Sequence, residues 1–168
     1  MEKVKVSKDL ESKTLTIEKN FNAPKEKVWR AYSNKEWFDK WWGPEGWETT
    51  TSEFNFKPGG KIHYCMKNID KNQGEWFGQE SCGLMKINKV DEPNSFSAID
   101  YFSDAEGAVN EQMPSQKIEV EFVEEGSNTR LISRSVVESA EQLEQLVKMG
   151  MIEGFSSQLS RLEELLKS

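Results

Sequence analysis

Residues 139–166, SAEQLEQLVKMGMIEGFSSQLSRLEELL, decide the fold. Leu143, Leu146, Val147, Met151, Phe155, Leu159, Leu162 and Leu166 recur at steps of three and four, which lays them along one face of a long helix. Ser139 stands at the N-cap with Gln142 three residues on, the spacing of a capping box. A helix with one apolar face must lie on another element. Gly150 and Gly154 fall inside it, where each costs about 1 kcal/mol relative to Ala. They read either as close packing against a bulky strand side chain or as room for a ligand beneath the helix.

The surface that receives this helix is legible upstream. Residues 14–21 alternate apolar and polar and read as a strand. Ala23-Pro24 opens a short helix over about 24–32, Ser33-Asn34 breaks it, and a second short helix covers about 35–41. Strands follow at 47–56, 61–68, 75–90, 95–102, 117–124 and 129–137, separated by Pro58-Gly59-Gly60, 70–74, Pro93-Asn94, the polar loop 103–115 and Gly126-Ser127-Asn128. Gly78 and Gly83 are bulge candidates in the long 75–90 segment. The order predicts an α+β fold. A curved antiparallel sheet of about seven strands wraps a long C-terminal helix, with two short helices after the first strand, as one domain over residues 1–168.

Between the short helices and the sheet lies Trp37-Phe38-Asp39-Lys40-Trp41-Trp42-Gly43-Pro44-Glu45-Gly46-Trp47, which holds four of the six tryptophans. Gly43-Pro44 stops the helix. Trp41 and Trp42 are expected near a cavity mouth, at least one of them buried against the sheet, as a packing plug or as a gate that moves when ligand enters.

Composition excludes several partners. The net charge is 22 − 29 = −7, and residues 43–168 carry 12 Lys/Arg against 22 Asp/Glu. An acidic body repels phosphate, so neither nucleic acid nor an anionic membrane surface is expected to bind. The N-terminus shows no signal-peptide apolar region, and no stretch approaches the 18 apolar residues of a span. The expectation is a cytoplasmic protein in which Cys65 and Cys82 are free thiols.

Catalytic and metal signatures are sparse. His63 is the one histidine, strand parity sets it opposite Ile62, Tyr64 and Met66, and it is expected to face solvent. With Cys65 and Cys82 it shows no metal-type spacing, so no metal and no cofactor are expected. No Gly-x-Ser-x-Gly elbow occurs, and Lys57–Lys61 lacks the spacing of a phosphate loop. Among strand carboxylates Glu53, Glu80 and Asp100, Glu80 is the best candidate to face a cavity, having Trp76, Phe77 and Cys82 as neighbours. No catalytic residue is assigned. The remaining positive signal is an aromatic and Met set suited to an adaptable apolar pocket: Trp41, Trp42, Phe54, Tyr64, Met66, Trp76, Glu80, Met85, Tyr101, Met113, Met151 and Phe155.

Five motifs occur in a familiar order: residues 16–29 (TIEKNFNAPKEKVW), Trp41-Trp42-Gly43-Pro44, residues 56–61 (FKPGGK), Asp91-Glu92-Pro93 and Thr129-Arg130-Leu131. Together they resemble the family named after the activator of the heat-shock-protein-90 ATPase, in the START/birch-pollen-allergen-like (SRPBCC) superfamily. Residues 100–104 and 149–155 resemble a bacterial branch. The resemblance spans about residues 12–167. It implies a helix-grip fold around an apolar cavity, small-molecule binding and, from the name, a co-chaperone role; it implies no general catalytic set. The leading expectation is a binding protein for a hydrophobic, apolar or aromatic small molecule. A chaperone-ATPase regulator with a protein partner is the first alternative, and a cyclase- or hydrolase-type enzyme using a buried carboxylate is the second. Oligomeric state is not legible.

Overall fold

Period-two alternation buries Leu15, Ile17 and Phe21 on one side of the first apolar strand, and the same rule builds the rest of the sheet. The computed structural model describes residues 4–168. The chain runs β1 (Lys5–Asp9), β2 (Thr14–Phe21), α1 (Lys25–Ser33), α2 (Lys35–Trp41), β3 (Trp47–Phe54), β4 (Lys61–Asn68), a 3-10 turn (Lys71–Trp76), β5 (Glu80–Asp91), β6 (Ser95–Ser103), β7 (Gln116–Glu125), β8 (Asn128–Val136), α3 (Ala140–Lys148) and α4 (Met151–Leu166). The strands form one antiparallel sheet in the order β1-β2-β8-β7-β6-β5-β4-β3. The strand beyond the expected seven is β1, whose residues are all exposed. With neither face buried it carries no apolar alternation to read. The two short helices therefore follow the second strand.

Three local expectations change. The segment 75–90 is not all strand. Asp70 Oδ1 accepts from Asn72 N at 2.9 Å and starts the 3-10 turn, which leaves β5 to begin at Glu80. Gly78 sits in that connection, and Gly83 lies in regular register opposite Tyr64, so neither is a bulge; the irregularities fall at Thr51/Glu53 and Ile87/Lys89. A Cβ at Gly83 would come within 2.3 Å of Tyr64 ring atoms, so the glycine is what lets that ring lie across β5. The C-terminal helix is also broken. Gly150 takes φ +94° between α3 and α4, a left-handed conformation that ends one helix and admits the next.

Cys65 and Cys82 are not free thiols. They are direct cross-strand partners on β4 and β5, with Cα atoms 4.1 Å apart, and are joined as a disulfide. The compartment rule gave no weight to pairing register, which brings residues 17 apart in sequence face to face.

α1 and α2 pack an aromatic core against the sheet. Trp29 meets Phe56 and Phe122 edge-on, Tyr32 meets Trp41, and Phe38 stacks on Trp42 with centroids 4.7 Å apart. Trp41 is fully buried, and its indole N–H donates to the Ala31 carbonyl at 2.8 Å. It is a plug.

α4 is tied to the turn after α2 by polar groups. The Arg161 guanidinium donates to the carbonyls of Lys40, Gly43, Pro44 and Trp47 at 3.1, 2.8, 3.2 and 3.1 Å. Gln158 Oε1 accepts from Gly43 N, and Ser157 Oγ accepts from Glu45 N, both at 2.8 Å. Arg161→Met should therefore lower unfolding free energy by about 2–3 kcal/mol, the scale of losing charge-assisted hydrogen bonds. Arg161→Lys should recover only part of it, because an ammonium lacks the planar fork. Urea denaturation of the three proteins checks both. Leu159, fully buried in the core, should cost about 2–5 kcal/mol when cut to Ala in the same assay.

Candidate functional site

The curved sheet does not close fully on α3 and α4. Between them lies a cavity of about 530 Å³. Its wall is mainly apolar and aromatic, as in small-molecule sites. Trp76, 56% exposed on the 3-10 turn, and Met149, 52% exposed beside the Gly150 break, both border the cavity, so they mark its mouth.

Of the residues expected to bind ligand, Trp42, Tyr64, Met66, Trp76, Met151 and Phe155 line this space, and Tyr101 borders it with its ring under the Lys86 ammonium. Five do not. Trp41 is turned into the core by its bond to Ala31. Met85 is fully buried beneath the sheet surface, and Phe54 packs against Phe38 from β3. Met113 sits in the 103–115 loop, away from the wall. Glu80 is exposed at the start of β5, paired with Lys67, because the preceding residues turn rather than continue as strand. Leu159, on the same apolar helix face as Met151 and Phe155, belongs to the core instead.

Asp100, not Glu80, is the cavity carboxyl. β6 pairs it with Met85 on the inward face, and Tyr64 donates to its two oxygens at 2.9 and 3.0 Å. Burial pushes the Asp100 carboxyl up to about 7, against a smaller opposing pull from the Tyr64 hydrogen bond. Burial, then the Asp100 charge, drives the Tyr64 hydroxyl well above its ordinary value. Tyr64 therefore stays neutral and donates. A carboxyl that titrates near neutrality can give or take a proton at pH 7.

Three residues that border the space hold side-chain atoms that are fully buried and have no protein partner among the described residues: Tyr32 Oη, Gln116 Oε1 and Gln158 Nε2. Ser133 and Ser135 add hydroxyls from the inward face of β8. Their period-two spacing after the buried Leu131 is a sequence signal that small polar residues face inward there. Tyr32, Gln116 and Gln158 carry no such signal, since their orientation depends on how α1, β7 and α4 meet.

Asp100 is the one carboxylate on the cavity wall among the described residues. A different set gathers on the outer sheet face. His63 does point away from Ile62 and Tyr64, yet it is 5% exposed rather than solvent-facing, because the loop after β6 covers it. The Asp104 carbonyl lies 3.1 Å from its Nε2.

Relatives share this architecture. The crystal structure of Ms6760 from Mycobacterium smegmatis is 34% identical, with 97% of this chain and 96% of that chain covered and a TM-score of 0.86. A protein from Arthrobacter aurescens, solved by NMR, is 27% identical over 97% of this chain and 91% of its own, at TM-score 0.88. One from Staphylococcus epidermidis is 27% identical over 96% and 93%, at 0.80. No functionally curated protein matches the chain. Residues 22–167 match the family described as Activator of Hsp90 ATPase homolog 1-like protein, and the chain belongs to that family.

Proposed function

We propose that this protein binds a small molecule with an apolar or aromatic body and at least one polar group, held between the sheet and the C-terminal helices. One observation carries the reading: a cavity of about 530 Å³ with a mainly apolar and aromatic wall that also holds the hydrogen-bonded Tyr64–Asp100 pair. The apolar wall supplies burial, and the Asp100 carboxyl bonded by Tyr64 supplies a polar group.

A second reading, a chaperone-ATPase regulator, draws on the family's description and on the exposed apolar group Ile69, Trp76 and Phe77 beside the mouth. Addition to a purified Hsp90-type ATPase separates the two. Stimulation of turnover that is lost in Trp76→Ala and Phe77→Ala would favour the regulator.

Gly154 tests the cavity reading directly. It borders the space with only Pro44 Cγ near, 3.7 Å from an added Cβ. Gly154→Leu should fill the volume and weaken binding of an apolar naphthalene-type fluorescent probe by about tenfold or more, roughly 1.4 kcal/mol. The variant should melt no lower than wild type, because Leu favours a helix over Gly. Equal probe affinity would overturn the proposal.

Asp100 sets a pH dependence. Its carboxyl rises from 3.8 to about 7 on folding, so the native state holds a proton that the unfolded chain has released. Stability then falls as pH rises through that window and levels off above it. Thermal melts from pH 4 to 8 should show this decline in wild type and a flatter profile in Asp100→Asn.

A further inference from the structure

We propose that His63, Cys65 and Cys82 form a redox-gated binding site for a thiophilic divalent cation of the zinc class. The set is assembled by register. Cys65 and Cys82 are cross-strand partners, and His63 precedes Cys65 by two residues on the same outward face of β4. Their donor atoms all lie within 4.8 Å of one another, and His63 Nε2 is already 3.9 Å from Cys65 Sγ. Tetrahedral zinc with thiolate and imidazole ligands needs donors roughly 3.5 Å apart, so small side-chain rotations suffice. Two thiolates and one imidazole match the softness of that ion.

The surroundings suit a ligand imidazole. His63 Nδ1 shares a short hydrogen bond with Ser52 Oγ on the neighbouring strand β3. Nε2 faces the Asp104 carbonyl, which can only accept, so the proton sits on Nε2 in the oxidised protein and Ser52 donates to Nδ1. Coordination through Nε2 calls for the other tautomer, in which Nδ1–H donates to Ser52 Oγ. A hydroxyl serves both states. Such a partner on the remote nitrogen commonly fixes a ligand histidine. The fourth position is left for water or the Asp104 carbonyl. His63 and Cys82 are buried and Cys65 is half-buried, beneath the loop that starts at Asp104.

The disulfide closes the site. A dithiol reductant opens it by giving up two electrons and two protons: the S–S bond breaks, two thiols form and the reductant becomes a cyclic disulfide. Metal binding then replaces the two thiol protons, which pass to solvent. The same strands carry Tyr64, Met66 and Ser81 into the cavity, so the outer site lies one residue behind its wall.

Cobalt(II) is the probe, because thiolate ligands give it a charge-transfer band in the near ultraviolet. Protein reduced by a dithiol, freed of reductant under anaerobic conditions and shown by circular dichroism to keep its fold should take up one equivalent with that band. Zinc should displace it. Oxidised protein should show no band. Cys82→Ser should abolish it, His63→Ala should weaken binding at least about tenfold, and Ser52→Ala should weaken it about 10–100-fold. The proposal is overturned if reduced wild type gives no thiolate band or loses its fold. It is equally overturned if oxidised protein binds as well, or if the Cys65→Ser/Cys82→Ser double variant binds like wild type. An unchanged affinity in His63→Ala would remove the imidazole from the site and with it the three-ligand assignment.

Discussion

The Arg161 guanidinium sits in a ring of carbonyls contributed by Lys40, Gly43, Pro44 and Trp47, and the rest of the molecule is arranged around that contact. The chain after α2 leaves the helix at Trp42 and turns through Gly43, at φ +96°, and Pro44, so several backbone acceptors converge there without a regular partner. A charged planar donor is suited to satisfy them together. With Gln158 and Ser157 adding bonds to Gly43 N and Glu45 N, the contact fixes the height and rotation of α4 over the sheet. That rotation sends Leu159 and Leu162 into the core and leaves Met151 and Phe155 over open space.

The cavity is thus a consequence of how the last helix is held. Closer to the C-terminus, α4 packs on α1 and α2, where Trp41, Tyr32 and Phe38 fill the volume. Toward its start the helix is interrupted at Gly150, and α3 leaves in a new direction. Ser133, Ser135 and Gly154 present little side-chain bulk in that half. Small residues and the helix break fall in the same half of the molecule as the open space, where interiors otherwise pack densely.

Both faces of β4 and β5 carry chemistry. Inward lie Tyr64 and, across Gly83, Phe102; outward lie His63, Cys65 and Cys82 under the loop that begins at Asp104. Outward-facing strand residues are ordinarily wet, which is why His63 reads as a solvent residue from its parity alone. A loop folded back over the sheet reverses that reading, and parity holds no information about a segment forty residues away.

Local and periodic signals fixed a good deal. The steps of three and four in residues 143–166, the alternation in β2 and β7, the Ser139 cap, which accepts from Gln142 N at 3.1 Å, and the Asn34 break between α1 and α2 all follow from neighbours within a few residues. They suffice for an α+β fold in which a sheet receives a terminal helix, because amphipathic periods state which face must be covered. The amino-acid sequence also placed Trp42, Tyr64, Met66, Met151 and Phe155 near one another, since each is apolar on an inward face. What the tertiary structure alone decided rests on register and rotation: the pairing of Cys65 with Cys82, the inward turn of Asp100 instead of Glu80, the exclusion of Trp41 and Leu159 from the cavity and the arrival of Arg161 at the Gly43–Trp47 turn. Each depends on contacts between residues distant along the chain, and no local pattern encodes the one-residue slip or the few degrees of helix rotation that separate a cavity wall from a core.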